Sequence, residues 1–392
     1  MPHSPEEPIL SPLALTLLLA SSLTVMSNAT IAPSLPAIAD HYRDVPGIAT
    51  LAGLLLTLPS LAVALSAFGM GVAADRFGRR KVMLIGLVAY GFAGSTGLWM
   101  DGLPELLAGR FALGVAVAAV MTAATALISD LFSGPQRDKF MGVQGAAMSI
   151  GAIAFLVGGG FLAEQHWRAP FLLYLAAFGV LILAVIIVPR TAPAQRRAGA
   201  DDAAELPVGF VAGVMALAAL IMAVFYVIPV RLPFYLRELG VNSPSAAGMA
   251  VAAGTVTSTF ASLAYGRLRS RLSPPAIFAY AFGAIALGFA IVSFAHGFNA
   301  VVGGVLISGL GLGLMMPNQA GWLMSRTPPA RRGMAAGLLT MAIFAGQFVS
   351  PLISGPVAGA FGLAMMYRLT AALLVAMMVV MVLVARREKP LA

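Results

Sequence analysis

Long uncharged apolar runs alternate with short joints that are polar, charged or rich in Pro and Gly. Twelve such runs fall at 12–37, 47–73, 82–100, 106–129, 140–163, 169–189, 207–230, 244–266, 276–295, 300–325, 333–359 and 369–385. Each is close to the ~20 residues that carry a helix across a hydrocarbon core about 30 Å thick. The pattern predicts twelve membrane-spanning helices. Met1–Pro8 holds two glutamates and no Lys or Arg, so the first run lacks the basic start of a secretory signal and is read as a true span.

The joint after the sixth run, from Arg190 to Glu205, is rich in Ala, Arg and Asp and reads as a polar linker. It divides the chain into 1–189, a linker at 190–206, and 207–392. Sliding the sequence by 195 superposes Gly53 on Gly248, Gly71 on Gly266, Gly109 on Gly304, Gly114 on Gly309, Gly151 on Gly346 and Gly160 on Gly355. Eight of the twenty glycines before residue 198 coincide in this way, where composition alone gives about two. General glycine richness of membrane helices competes with this reading. Six spans per copy return the chain to the same side, so the copies are parallel. The expected fold is all-α and integral to the membrane, with two pseudo-symmetric six-helix bundles. Parallel repeats of this kind serve transporters, which rock one half against the other around a midplane site.

Composition agrees: 60% of the 392 residues are hydrophobic and 10% charged, far from the roughly one-quarter charged make-up of soluble domains. Eighteen of the 24 Lys and Arg fall in one alternate set of joints, five in the other, and Arg110 lies inside a span. Cytoplasmic loops keep positive charge, so both termini are placed in the cytoplasm of a multi-pass inner-membrane protein. The net charge of +9 is then a matter of topology and not of nucleic-acid binding. With no Cys, disulfides and thiolate metal sites are excluded. No cofactor and no metal are expected; the partners are a small solute, protons and the bilayer, and the protein is expected to be a monomer.

Between the second and third runs stands GVAADRFGRRK, in which Gly71, Asp75, Arg76, Gly78, Arg79 and Arg80 form a dense polar cluster. Gly71 allows close helix packing and Gly78 a tight turn. Asp75 sits where a carboxylate gains from the N-terminus of span eleven, which begins after Arg331 and Arg332. The equivalent stretch of the second copy keeps Gly266 and Arg271 but has Ser270 in place of the acid. Positive-inside topology with an incidental aspartate is the alternative.

With these residues the chain resembles the major facilitator superfamily, in its twelve-span drug and solute exporter branch, along nearly its whole length. The resemblance implies that the cluster gates the cytoplasmic side and that one of its arginines pairs with an acid ending span four, the place held by Asp130. It also matches Arg110 to Gly114 with the family's Arg-x-x-Gln-Gly, although Leu113 replaces the glutamine. An arginine within a span is a functional candidate by default; snorkelling to the nearer membrane edge is the other reading. The family's span-five glycine-proline motif is interrupted by Phe155 and Leu156. A related pattern, Gly346, Ser350, Pro351 and Gly355, stands in span eleven as a bending element or as ordinary close packing.

None of the fifteen acids and four histidines lies in mid-span. The uncharged polar residues Asn28, Gln144, Tyr226, Asn318, Gln319 and Gln347 are therefore, with Arg110, the candidate solute contacts; each amide is equally readable as interhelical glue. A cavity so lined should favour neutral amphipathic or anionic solutes over cations. The leading expectation is an exporter, proton-coupled by resemblance, with Asp40, Asp75 and Asp130 as coupling candidates. An uncoupled or uptake facilitator for a sugar or organic anion is the alternative. A membrane enzyme is disfavoured, since no carboxylate pair, metal cluster or phosphate loop occurs in the spans.

Overall fold

The computed structural model describes residues 11–132, 134–189 and 207–387, so the linker expected at 190–206 lies outside them. Thirteen α-helices follow one another: α1 (Pro12–Ala29), α2 (Leu35–His41), α3 (Ile48–Phe77), α4 (Arg79–Gly94), α5 (Leu103–Leu131), α6 (Gly134–Gln165), α7 (Ala176–Ile187), α8 (Val208–Glu238), α9 (Pro244–Arg269), α10 (Pro274–Ser293), α11 (Phe298–Ser325), α12 (Arg332–Phe361) and α13 (Leu363–Arg387). Twelve segments among the described residues are long and apolar enough to cross a membrane, and no strand occurs among them.

Local chemistry sets the ends. Ser11 and Ser243 accept a hydrogen bond from the backbone N–H of Ala14 and Ala246, capping α1 and α9. Prolines open both helices, at a position where an amide proton has no helical use. Span one breaks at Thr30, turns through Ala32–Ser34 as a short 3-10 segment, and resumes as α2. Gly78 separates α3 from α4 at φ 95°, a left-handed conformation that glycine adopts without strain.

The chain packs as two compact units. One runs to Ile31 and resumes at Leu55, containing α1, most of α3 and α4 to α7. The other takes Ala32–Leu54 together with α8 to α13. The division thus passes through spans one and two as well as between α7 and α8.

Equivalent contacts recur inside the two units at the 195-residue offset. A Cβ on Gly114 would strike the carbonyl oxygen of Pro59 and the Ala62 side chain; one on Gly309 would strike the carbonyl of Gly254 and the side chain of Thr257. Residues 59 and 254, like 62 and 257, are 195 apart. Gly109 packs on Thr96 of span three, as Gly304 packs on Gly288 and Val292 of span nine. These glycines let helix backbones approach, the main route to packing where lipid offers no hydrophobic drive.

Span seven is longer than its apolar run. It was expected to end at 230, with Arg231 and Arg237 in the following joint; α8 instead continues to Glu238 through Pro229, Arg231 and Pro233. The helix continues because neighbouring groups bind its cations, as described below.

Candidate functional site

In the first unit the interior is organised around Arg110, which is fully buried. It does not snorkel. Its Nε donates to the carbonyl of Leu55 at 2.8 Å, one terminal nitrogen donates to the Tyr174 hydroxyl at 2.8 Å, and the other bonds the Ser27 carbonyl. Tyr174 donates to the same Ser27 carbonyl at 3.0 Å, and Tyr90 donates to Leu23 O at 2.6 Å. Each hydrogen bond from a charged donor is worth roughly 1.5–3 kcal/mol. Beside this hub, Asn28 Nδ2 donates to Ser60 Oγ at 2.9 Å. Gln144 Nε2 donates to Ser21 Oγ at 2.8 Å, joining α6 to α1. Arg110, Asn28 and Gln144 thus belong to one polar seam on α1, α3, α5 and α6.

At the end of the same unit, the expected pairing of an arginine with Asp130 is made by Arg79, which also donates to Ala126 O at 2.8 Å. Asp75 lies 3.8 Å from Arg79 and is 63% exposed. Arg80 reaches across to Val185 O at 2.7 Å, while Arg76 lies over the Phe77 ring at 5.5 Å. A Cβ on Gly71 would meet no atom within 4 Å, so close packing is not what this glycine provides here.

In the second unit, Asn318 is fully buried and donates to Pro274 O at 2.9 Å, tying α11 to the start of α10. Its Oδ1 and the Oε1 of fully buried Gln319 have no protein donor among the described residues. Tyr226 and Gln347 are buried on α8 and α12. Span eleven runs as one helix through Pro351 and Pro356. Gly346 fits against the backbone of Ala219, and Gly355 leaves room for Thr50 and the Arg231 guanidinium.

Sequence reasoning missed Arg231. It is 2% exposed and bonded by Nε to Ser354 Oγ at 3.0 Å, with terminal nitrogens to Ala49 O at 3.1 Å and Pro351 O at 3.2 Å. All three acceptors are uncharged. The signal was legible as an arginine between two prolines in a run that stays apolar to Leu236, since membrane helices tolerate proline where neighbours satisfy the freed groups. Nearby, Arg237 donates to both carboxylate oxygens of Asp40. Pro33, Asp40, Pro233, Arg237, Asn242 and Ser243 help line a cavity of about 240 Å³.

Comparison with known proteins follows the same lines. The family model described as Major Facilitator Superfamily matches residues 17–243 and 214–392. The chain is 24% identical to the multidrug efflux pump LfrA of Mycolicibacterium smegmatis, over 86% of this chain and 79% of that one. It is 28% identical to the class B tetracycline resistance protein of Escherichia coli, over 86% of both. Among solved structures, a D-xylose-proton symporter superposes with a TM-score of 0.77 at 17% identity, over 94% of this chain and 96% of that one.

Proposed function

The chain belongs to the Major Facilitator Superfamily, and from that premise we propose that it is a proton-coupled exporter of small amphipathic drugs or metabolites, neutral or anionic rather than cationic. The observation that carries the solute preference is the sign of the interior. Among the described residues, the buried charged side chains are Arg110 and Arg231, and no carboxylate is buried with them. In the low-dielectric interior of either unit, an unneutralised cation repels a cationic solute and attracts an anionic one. The relative LfrA is a multidrug efflux pump and the class B relative a tetracycline resistance protein, which supports the direction.

Transport proceeds by alternating access, with both termini in the cytoplasm and the Asp75, Arg79 and Asp130 cluster stabilising the cytoplasmic closure. Asp75, 63% exposed against 46% for Asp130, is the more exposed acid of that cluster and so can exchange partners as the closure forms. Gln319 Oε1 and Asn318 Oδ1 are acceptors in want of a donor, which a solute hydroxyl or amide can supply. Gln144, Asn28, Tyr226 and Gln347 complete the candidate contacts, and Pro351 with its flanking small residues is the place where span eleven flexes.

A panel of drugs scored by thermal stabilisation of the purified protein tests the reading, because a ligand of the folded state alone raises apparent stability by mass action. Neutral and anionic compounds should stabilise at lower concentrations than cationic ones; the reverse order would remove the preference. That no carboxylate is buried among the described residues favours a second reading, an uncoupled facilitator for a sugar or organic anion. Solute flux indifferent to an imposed proton gradient would select it.

A further inference from the structure

Pro59 stands inside α3 and has no amide proton for the carbonyl four residues back, that of Leu55. The missing donor is supplied from another helix, by Arg110 Nε at 2.8 Å. One turn along α5, Gly114 leaves the space that the Pro59 carbonyl occupies. Arg110 and Gly114 thus serve the same proline turn of α3, one by restoring its lost hydrogen bond and the other by making room. The same guanidinium bonds Ser27 O, one of the last carbonyls of α1, which the helix itself leaves without a donor. The residues that follow these two anchor points, Asn28 after Ser27 and Ser60 after Pro59, are bonded to one another at 2.9 Å.

The second repeat provides a comparison within the chain. At the offset of 195, Gly114 becomes Gly309, Pro59 becomes Gly254 and Arg110 becomes Val305. Gly309 keeps its packing on the backbone of residue 254, and the Val305 side chain lies against Gly254. Gly254 has an amide proton, so the carbonyl of Ala250 keeps a helical donor and no side chain is needed to replace it. Proline and arginine occur together in one copy and are absent together in the other.

We infer that Arg110 is a positioning residue that stands in for the amide missing at Pro59. It fixes the end of α1 and the proline turn of α3, and through them the Asn28–Ser60 pair; its charge acts on a solute through the field of the interior and not by contact, and it carries no proton. The transport half of this inference rests on the exporter reading; the pairing with Pro59 does not.

The test compares Arg110→Val, Pro59→Ala and the double variant in the full chain. Two quantities are read: the melting midpoint of the purified protein, and tetracycline flux into inverted vesicles per folded molecule. Arg110→Val should lower the midpoint by about 5 °C and the flux about tenfold, and adding Pro59→Ala should recover at least half of both losses. The double variant should also keep the pH profile of wild-type flux, which a residue in a proton path would alter. Simple additivity of the two substitutions, or a recovered midpoint with flux still absent, would overturn the inference. Should the wild type carry no tetracycline, the exporter reading loses its support, while the midpoints alone still decide the pairing: recovery upholds it and additivity removes it.

Discussion

Arg237 of α8 grips both carboxylate oxygens of Asp40 on α2, at 2.5 and 3.0 Å. Six residues earlier on the same helix, Arg231 holds the backbone of Ala49 at the start of α3. Two arginines of span seven thereby retain both ends of the segment Ala32–Leu54, and this accounts for its packing with the C-terminal helices. The two contacts differ in kind, and so do their expected strengths.

The Asp40–Arg237 pair is 59% and 45% exposed, so salt screens it. Asp40→Asn should cost no more than about 1 kcal/mol at low salt and almost nothing at 0.5 M salt. Thermal midpoints of the purified protein at the two salt concentrations check this. A reversed pair, Asp40→Arg with Arg237→Asp, should regain most of the loss.

Arg231 is a buried cation with three uncharged acceptors on two helices. Arg231→Met should destabilise by about 3 kcal/mol, because it removes three hydrogen bonds from one charged donor, to Ser354 Oγ and to the carbonyls of Ala49 and Pro351. Arg231→Lys should recover only part, since an ammonium lacks the planar fork that reaches all three. Denaturation of the purified variants in mixed micelles measures both.

Asp75 and Asp130 share Arg79 but are expected to matter differently. Asp75→Asn should cut flux about tenfold or more with the folded amount unchanged, because its 3.8 Å contact adds little to stability. Asp130→Asn should lower stability as well as flux, since Arg79 is largely buried and loses its close partner. Fluorescence-detected size exclusion beside vesicle transport separates the two outcomes.

The buried amides divide between packing and binding. Asn318→Leu should weaken the protein by about 0.5–1.5 kcal/mol through loss of the hydrogen bond to the Pro274 carbonyl. Gln319→Leu removes a side chain whose oxygen has no donor, so it should spare stability and raise the KM for transported solutes. Paired melting and transport measurements on each variant give the contrast.

Much of this architecture was legible in the sequence for physical reasons. Span length follows from bilayer thickness, and the glycine offset follows from helix approach, which is why Gly114 and Gly309 meet equivalent partners. The Arg79–Asp130 pair followed from the motif and the resemblance together. Arg231 and Arg237 were placed in a joint because charge was taken to end a span, whereas their acceptors come from residues as distant as Ala49, Ser354 and Asp40. Hydrogen bonds across more than a hundred residues leave no local pattern. Arg110 was recognised as unusual, yet its connection to Pro59 needs the fold that sets α5 beside α3.

The most direct test of the central claim is solute accumulation in inverted membrane vesicles with an imposed acid interior. The account predicts uptake of a neutral or anionic drug against its own gradient, lost when the proton gradient is collapsed and strongly reduced by Asp75→Asn. Uptake that only equilibrates the solute, at the same rate with and without the gradient, would contradict it.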